Sequence, residues 1–376
     1  MINQMNIKKS LRGVTLEKKA KSSHLKKHEK LMNICIRCAY CFEKCPVIKE
    51  VQWDTDGARG KVILSYGLLT GELEPSQYIA DKIFRCTYCR DCIERCPSKV
   101  DILDILSSAR ADLVEQGYAS DVHKQVIDNI DKTGNIYGDT EVVDLSREGT
   151  TPLFVGCQYI GRPNKTKKYI KILEKLDVQP KVLEEICCGF PMEVLGFRKN
   201  FKDHARAFKK SFPDDNAITL CPTCTVFLQE EYDIDAQHVL QTILEKIPEN
   251  QLDLKVTYHD PCDFSRGLNI IDEPRQILKK LGVEVVEMKH NKKDSRCCGG
   301  GGGILMTDQD LSLDISKKRI DEAIETGADI IVTSCPTCEQ VLKKAARQVN
   351  EEKGTNISVR SIEDIIWKGL KKKGGK

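Results

Sequence analysis

The chain has 376 residues, enough for two or three domains with cores of their own. A net charge of +3 and only 6% aromatic residues argue against nucleic-acid binding, which needs a basic field and stacking platforms. Eighteen cysteines stand in a chain with neither the shortness nor the signal peptide of a disulfide scaffold. The expected setting is therefore cytoplasmic, reducing and anaerobic, where closely spaced cysteines read as metal ligands or catalytic thiols.

In chain order, residues 1–30 form a basic arm. Residues 31–115 carry a first cysteine repeat, with KVILSYGLLTGEL as a helical connector inside it, and residues 116–150 read as a polar linker. Beyond 150 the pattern changes. TPLFVGC, NAITLCPTC, LKVTYHDPC and ADIIVTSCPTC each read as a buried strand running into cysteine. KTKKYIKILEKLD and EPRQILKKLG read as amphipathic helices between them. Strands alternating with helices predict parallel sheets in two related α/β, Rossmann-like subdomains, 151–255 and 256–376. With a helical module in front, the fold class is a multidomain α+β and α/β chain. In such sheets ligands sit beyond the carboxyl ends of the strands, where these cysteines fall. No stretch approaches the roughly 18 apolar residues of a membrane span.

The first repeat is C-x-x-C-x-x-C-x-x-x-C-P, twice: Cys35, Cys38, Cys41, Cys45 before Pro46, and Cys86, Cys89, Cys92, Cys96 before Pro97. Two-residue spacers let successive sulfurs wrap one [4Fe–4S] cube. A zinc pair has no use for a third C-x-x-C cysteine and the C-P, twice over. From Cys35 to Pro97 the chain resembles bacterial-type two-cluster ferredoxins, in which the cysteine before proline ligates the other cluster. That resemblance assigns Cys35, Cys38, Cys41 and Cys96 to one cubane cluster, and Cys86, Cys89, Cys92 and Cys45 to a second. Two neighbouring clusters conduct single electrons.

The second repeat is longer. Cys157, Cys187–Cys188, Cys221 and Cys224 form one copy; Cys262, Cys297–Cys298, Cys335 and Cys338 form the other. Together the two repeats use all 18 cysteines. Adjacent cysteines point their side chains apart and suit a larger cluster better than one zinc ion. Gly189 and Gly299 remove bulk beside them. Pro222 and Pro336 suit a first helical turn, which puts Cys221, Cys224, Cys335 and Cys338 near helix N-termini that favour thiolate.

This second pattern resembles the CCG domain of methanogen-type heterodisulfide reductases. The domain is shared with iron–sulfur subunits of glycolate oxidase, lactate-utilisation enzymes and anaerobic glycerol-3-phosphate dehydrogenase. Ferredoxin motifs followed by two CCG copies resemble the fused D-type subunit of heterodisulfide reductase. The resemblance implies a noncubane [4Fe–4S] cluster on each five-cysteine set. It implies an oxidoreductase of methanogenesis that reduces the coenzyme M–coenzyme B mixed disulfide. Electrons would arrive through the two cubanes from a partner protein, a haem-containing membrane subunit or a flavoprotein, within a hetero-oligomeric complex. Any membrane contact is then made through the partner. Both copies keep five cysteines, which favours the disulfide-reducing branch. The alternative is a non-catalytic electron-transfer subunit serving a flavin-dependent lactate or glycolate dehydrogenase.

Other residues carry weaker signals. His259 stands just before Cys262 and is a candidate hydrogen-bond or proton donor. Gly299 to Gly303 read as a flexible loop against a cluster, not a phosphate cradle. Arg266 and Arg296 are candidate anion contacts, with solvated arginine as the plainer reading. The N-terminal arm and the KKKGGK tail read as soluble ends.

Overall fold

The computed structural model describes residues 23–138, 144–183, 186–212 and 215–372. Most of the expected basic arm (1–22) and the end of the KKKGGK tail (373–376) lie outside the described residues.

The first part of the chain is helical. The Ser23 hydroxyl caps the short helix His24–His28 and donates to Asp112 at 2.5 Å, fixing the entering chain to a later helix. The connector between the cysteine motifs is helix α1 (Ala58–Thr70). Helix α2 (Ile102–Glu115) follows the second motif, with Asp101 accepting from two N–H groups of its first turn. Apolar residues recur on nearly every side of α2, and the helix is correspondingly buried on several faces.

The expected linker 116–150 holds a real helix, α3 (Asp121–Thr133), capped by Ser120 and ended by Gly134 at φ +70°. Its polar composition hides a stripe of His123, Ile127 and Ile130, which is buried. Residues 139–143 of that segment lie outside the described residues.

Two four-stranded parallel sheets follow. The first has the order β2-β1-β3-β4, from β1 (Thr151–Phe154), β2 (Pro180–Val182), β3 (Asn216–Thr219) and β4 (Asp235–His238). The second repeats it as β6-β5-β7-β8, from β5 (Leu254–His259), β6 (Val283–Val285), β7 (Ile330–Thr333) and β8 (Ser358–Ser361). All six pairings are parallel, as strands separated by helical crossovers require. Helix α4 (Pro222–Tyr232) leaves β3; helices α5 (Gln309–Ile324) and α6 (Pro336–Lys353) flank β7. Pro222 and Pro336 occupy the first position of α4 and α6, as expected. One apolar core runs through both sheets, from Ile127 and Phe154 to Val256, Ile277 and Ile366. No helix among the described residues is long and apolar enough to cross a membrane.

Candidate iron–sulfur centres

None of the 18 cysteines is in a disulfide. In the helical region they line two cavities. Cys35, Cys38, Cys41 and Cys96 line one, with Arg59 and Pro97. Cys45, Cys86, Cys89 and Cys92 line the other, with Pro46 and Lys61. Each cavity thus gathers three cysteines of one motif and the last cysteine of the other.

The two loops share an unusual backbone. Arg37 and Ala39 lie at φ +57° and +64°, and their counterparts Tyr88 and Arg90 at +58° and +63°. Left-handed conformations cost non-glycine residues about 1 kcal/mol or more, so paired occurrences mark a loop bent around something. Backbone N–H groups reach sulfur here: Tyr88, in one of the bends, donates to Cys86 Sγ at 3.5 Å, and Val100, after the second motif, to Cys96 Sγ at 3.3 Å. Burial pushes the Cys41 and Cys45 thiols up to about 11. Left to themselves these sulfurs stay protonated; coordinated to a multivalent metal they ionise outright. An all-thiolate donor set with N–H groups aimed at it fits an iron–sulfur cluster.

Buried cations surround the second cavity. Lys61, 2% exposed, lines it and donates to the Asp56 carbonyl. Arg110 is fully buried, and no carboxylate among the described residues pairs with it. Its donors go to carbonyls of Phe84 (3.0 Å), Val194 (2.9 Å) and Gly302 (3.2 Å). These belong to the helical region and to each α/β domain, so Arg110 stands where all three meet. Arg266 donates to the Cys89 carbonyl at 2.8 Å and to the Ser295 carbonyl at 3.0 Å. Expected as a solvated side chain or anion contact, Arg266 is instead a buried joint. Arg296 remains near the surface, with Nε 3.8 Å from Glu322.

The glycine run is also a joint. A Cβ at Gly301 would lie 2.3 Å from the Thr87 carbonyl oxygen, and one at Gly302, at φ +64°, only 1.8 Å from that of Cys86. The segment expected to be flexible is pressed against the second ferredoxin-type motif, and only glycine permits that approach.

In the α/β domains, Cys157, Cys221, Cys262 and Cys335 follow β1, β3, β5 and β7, the central strands of each sheet. Cys221 and Cys335 are N-cap residues of α4 and α6, and Cys224 and Cys338 lie in the first turns. In the first set, Cys157, Cys187, Cys188, Cys224 and Cys221 lie in sequence near enough for each thiol to perturb the next. In the second, Cys297, Cys298, Cys338 and Cys335 do the same, with Cys262 close enough to be perturbed by Cys297 and Cys298. Hydrogen bonds from Cys187 and Cys224 hold Cys188 down at about 6, and those from Cys297 and Cys338 hold Cys298 at about 5. The same bonds push Cys224 and Cys338 up. Each set gathers five mutually perturbing thiols, a donor array that a multi-iron centre completes.

The surroundings of the two sets differ. Phe154, Phe208, Phe212, Phe227 and Tyr232 pack edge-on and stacked beside the first, and the Tyr232 hydroxyl donates to the Cys188 carbonyl at 2.8 Å. Charged and polar groups surround the second. A His259 ring nitrogen, Cys298 Sγ and Cys338 Sγ lie within 4.8 Å of one another. Arg319 Nε donates to His259 Nδ1 at 3.0 Å, which leaves the neutral ring's proton on Nε2. Burial, then the Arg319 charge, hold this imidazole down to about 3. Asp260 accepts two bonds from Arg275, at 2.8 and 3.0 Å. The Cys89 and Cys297 thiols lie near enough to perturb each other's titration, so the second cavity and the second five-cysteine set are neighbours.

Sequence reading missed Lys61, Arg110 and Arg319. The only available signal was a cation inside an otherwise apolar or small-residue helical stretch, as in LSSARADL.

Residues 31–100 match the family described as a 4Fe-4S dicluster domain, and residues 152–229 and 256–343 each match the cysteine-rich domain. The chain is 27% identical to the B-type subunit of the CoM/CoB fumarate reductase of Methanothermobacter marburgensis, over 97% of its own length and 79% of that protein's. It is 26% identical to the D-type subunit of the dihydromethanophenazine:CoB–CoM heterodisulfide reductase of Methanosarcina acetivorans, over 83% of its own length and 88% of that protein's. Among solved structures, a hypothetical protein from Helicobacter pylori superposes with a TM-score of 0.58 over 93% of this chain and 73% of its own, at 9% identity, a likeness of fold alone.

Proposed function

We propose that this iron–sulfur chain, related to the D-type subunit of heterodisulfide reductase, is the catalytic subunit of a disulfide reductase, splitting the coenzyme M–coenzyme B mixed disulfide into two thiols. The observation that carries the reading is the pairing of two complete five-cysteine sets, one of them neighbouring Cys89. A pure carrier needs one path in and one out; a second buried set adds a second site for reduction. Under this reading Cys35, Cys38, Cys41 and Cys96 hold one cubane cluster, and Cys45, Cys86, Cys89 and Cys92 the other. Cys157, Cys187, Cys188, Cys221 and Cys224 hold one noncubane cluster, and Cys262, Cys297, Cys298, Cys335 and Cys338 its partner. The clusters supply one-electron transfers, and the disulfide takes up two electrons and two protons as its S–S bond breaks.

The protein's own groups do the rest. Arg110, Arg266 and the glycine run fix the helical region against both α/β domains. His259, neutral and oriented by Arg319, presents an N–H at the second set. The aromatic packing excludes water around the first. Electrons come from a separate protein in a hetero-oligomeric complex.

The similarity to a fumarate reductase component supports a second reading, in which the chain only carries electrons for another protein's chemistry. The test is turnover of the heterodisulfide by the anaerobically prepared chain with an artificial one-electron donor and no other protein. Turnover is the expected result. Reducible clusters with no turnover until a dehydrogenase is added would favour the carrier.

A further inference from the structure

Three cysteine-bearing segments meet at one carboxylate. Asp263 follows Cys262 of the second five-cysteine set and opens a single π-helical turn, Asp263–Leu268. Such wide turns are uncommon and gather at functional sites. Asp263 Oδ2 accepts at 2.5 Å from the hydroxyl of Thr223, which stands between Cys221 and Cys224 of the first set. That length is the short one of a hydroxyl bonded to a carboxylate. Asp263 Oδ1 faces Arg90 Nε at 3.7 Å. Arg90 stands between Cys89 and Cys92, and it also grips Glu230 of α4 at 3.1 and 3.3 Å. The turn lies tight against α4, since a Cβ at Gly267 would come within 2.8 Å of Val226 Cγ2. One side chain, 15% exposed, thus joins both five-cysteine sets to the second ferredoxin-type loop.

The bond is not a property of the repeat itself. The counterparts of Thr223 and Asp263 are Thr337, between Cys335 and Cys338, and Gln158, after Cys157. Among the described residues no hydrogen bond joins those two, and Gln158 accepts from Tyr137 at 2.7 Å instead. The joined pair is the one that Arg90 adjoins. The two sets also stand differently toward the second cavity. Cys297 of the second set neighbours Cys89. The first set meets the same loop through intervening side chains: Thr223 by way of Asp263, and Phe190, whose ring lies edge-on to Tyr88 with centroids 6.4 Å apart.

We infer that Asp263 is the positioning residue that holds the first five-cysteine set in register with the second ferredoxin-type loop, so that the first set takes up its electron across this junction. The hydrogen bond to Thr223 fixes the ligand turn of the first set, and Arg90 fixes the carboxylate. Electron transfer falls off steeply with distance, and a misplacement of about 1 Å costs a reaction on the order of a hundredfold. The step is a one-electron exchange: the centre on Cys45, Cys86, Cys89 and Cys92 is oxidised by one electron and the centre on the first set is reduced by one. The inference rests on the iron–sulfur reading of both centres and not on the identity of the disulfide.

The experiment is rapid-freeze-quench electron paramagnetic resonance of the cluster-loaded chain after mixing with a reduced ferredoxin, a donor too large to enter the protein. Cys188→Ser and Cys298→Ser assign the signals of the two sets. Thr223→Val and Asp263→Ala are each expected to slow reduction of the first-set centre about tenfold or more, with the second-set centre within about twofold of wild type. Asp263 adjoins Cys262, so a purely local effect of its loss would fall on the second set. Thr223→Ser, which keeps the hydroxyl, should restore the rate. Iron content equal to wild type shows that each variant holds its centres. If Thr223→Val loses iron, Arg90→Gln frees the carboxylate without touching either set and is expected to slow the first set in the same way. Unchanged first-set rates in Thr223→Val and Asp263→Ala would overturn the inference, as would slowing of the second set alone in Asp263→Ala. Slowing in Tyr88→Leu but in neither of those variants would also overturn it and give the route to the Tyr88–Phe190 contact. Selective slowing in a protein that never reduces the heterodisulfide would keep the junction and remove the reductase reading. Wild-type protein without a first-set signal would remove the cluster reading, and the junction with it.

Discussion

Arg266 Nε donates to the Cys89 carbonyl at 2.8 Å, across 177 positions of sequence. Its Nη1 reaches the carbonyls of Lys293 and Ser295, at 2.8 and 3.0 Å. One side chain thus ties the second ferredoxin-type loop to the segment leading into Cys297. Replacing Arg266 by Met removes the donors and leaves buried carbonyls unpaired, at a cost of about 3 kcal/mol. Hydrogen exchange is expected to speed up together in residues 86–92 and 293–303, while β1 and β3 keep their protection. Uniform loss of protection across both sheets would show that Arg266 serves global stability and not this joint.

The buried cations make a different prediction. A cysteine-ligated cluster becomes more negative on reduction, so nearby positive charge favours the reduced state and raises the potential. Lys61 lines the cavity of Cys45, Cys86, Cys89 and Cys92, whereas the other cavity is walled by the half-exposed Arg59. Lys61→Met is expected to lower the potential of one cubane signal by some tens of millivolts, an order-of-magnitude figure. The second cubane signal should not move. A redox titration followed by electron paramagnetic resonance reads both. Equal shifts in the two would sink the assignment of Lys61 to one cluster.

Much of this was legible in the sequence because cysteine spacing is local. The turn geometry that gathers Cys86, Cys89 and Cys92 is written within seven residues, and the proline after Cys221 and Cys335 marks a helix start directly. The strands could be read because TPLF and DIIVT are short apolar runs bounded by turns. What could not be read was long-range packing. Nothing in GGGGG says that Gly302 will meet Cys86, and a run of glycines looks flexible until another domain's backbone fills the space. Arg110 and Arg266 look like ordinary surface cations because their partners are backbone carbonyls, which carry no sequence signature. The helix of residues 121–133 was hidden for the opposite reason: its three buried positions are spaced for a helix, but its many charges read as a linker.

Metal content follows from the donor sets. Four centres of four irons predict about sixteen irons per chain after anaerobic reconstitution, with little zinc. Cys89→Ser should remove the iron of its own cavity and disturb the neighbouring Cys297 set, because the two thiols perturb each other. The centre on Cys157, Cys187, Cys188, Cys221 and Cys224 should survive. Iron analysis with Mössbauer spectroscopy distinguishes the cases. Fewer than about nine irons in the fully reconstituted wild type would leave room for the ferredoxin-type module alone.

His259 and Phe154 hold equivalent places, each three residues before the first cysteine of its set, at the ends of β5 and β1. Both are fully or almost fully buried. The substitution His259→Phe therefore puts into the second set a side chain that the first already accommodates, though Arg319 loses the acceptor it now has at 3.0 Å. If His259 acts as a hydrogen-bond donor near the sulfurs of Cys298 and Cys338, the variant keeps its iron. Its second noncubane signal then shifts, and heterodisulfide turnover falls about tenfold or more. His259→Gln, which retains an N–H donor, should recover part of both the signal and the rate. If His259 is instead a metal ligand, His259→Phe will lose iron from that centre and His259→Gln will not restore it. If neither variant changes the signal or the rate, the imidazole serves only to satisfy Arg319, and the proton comes from another group.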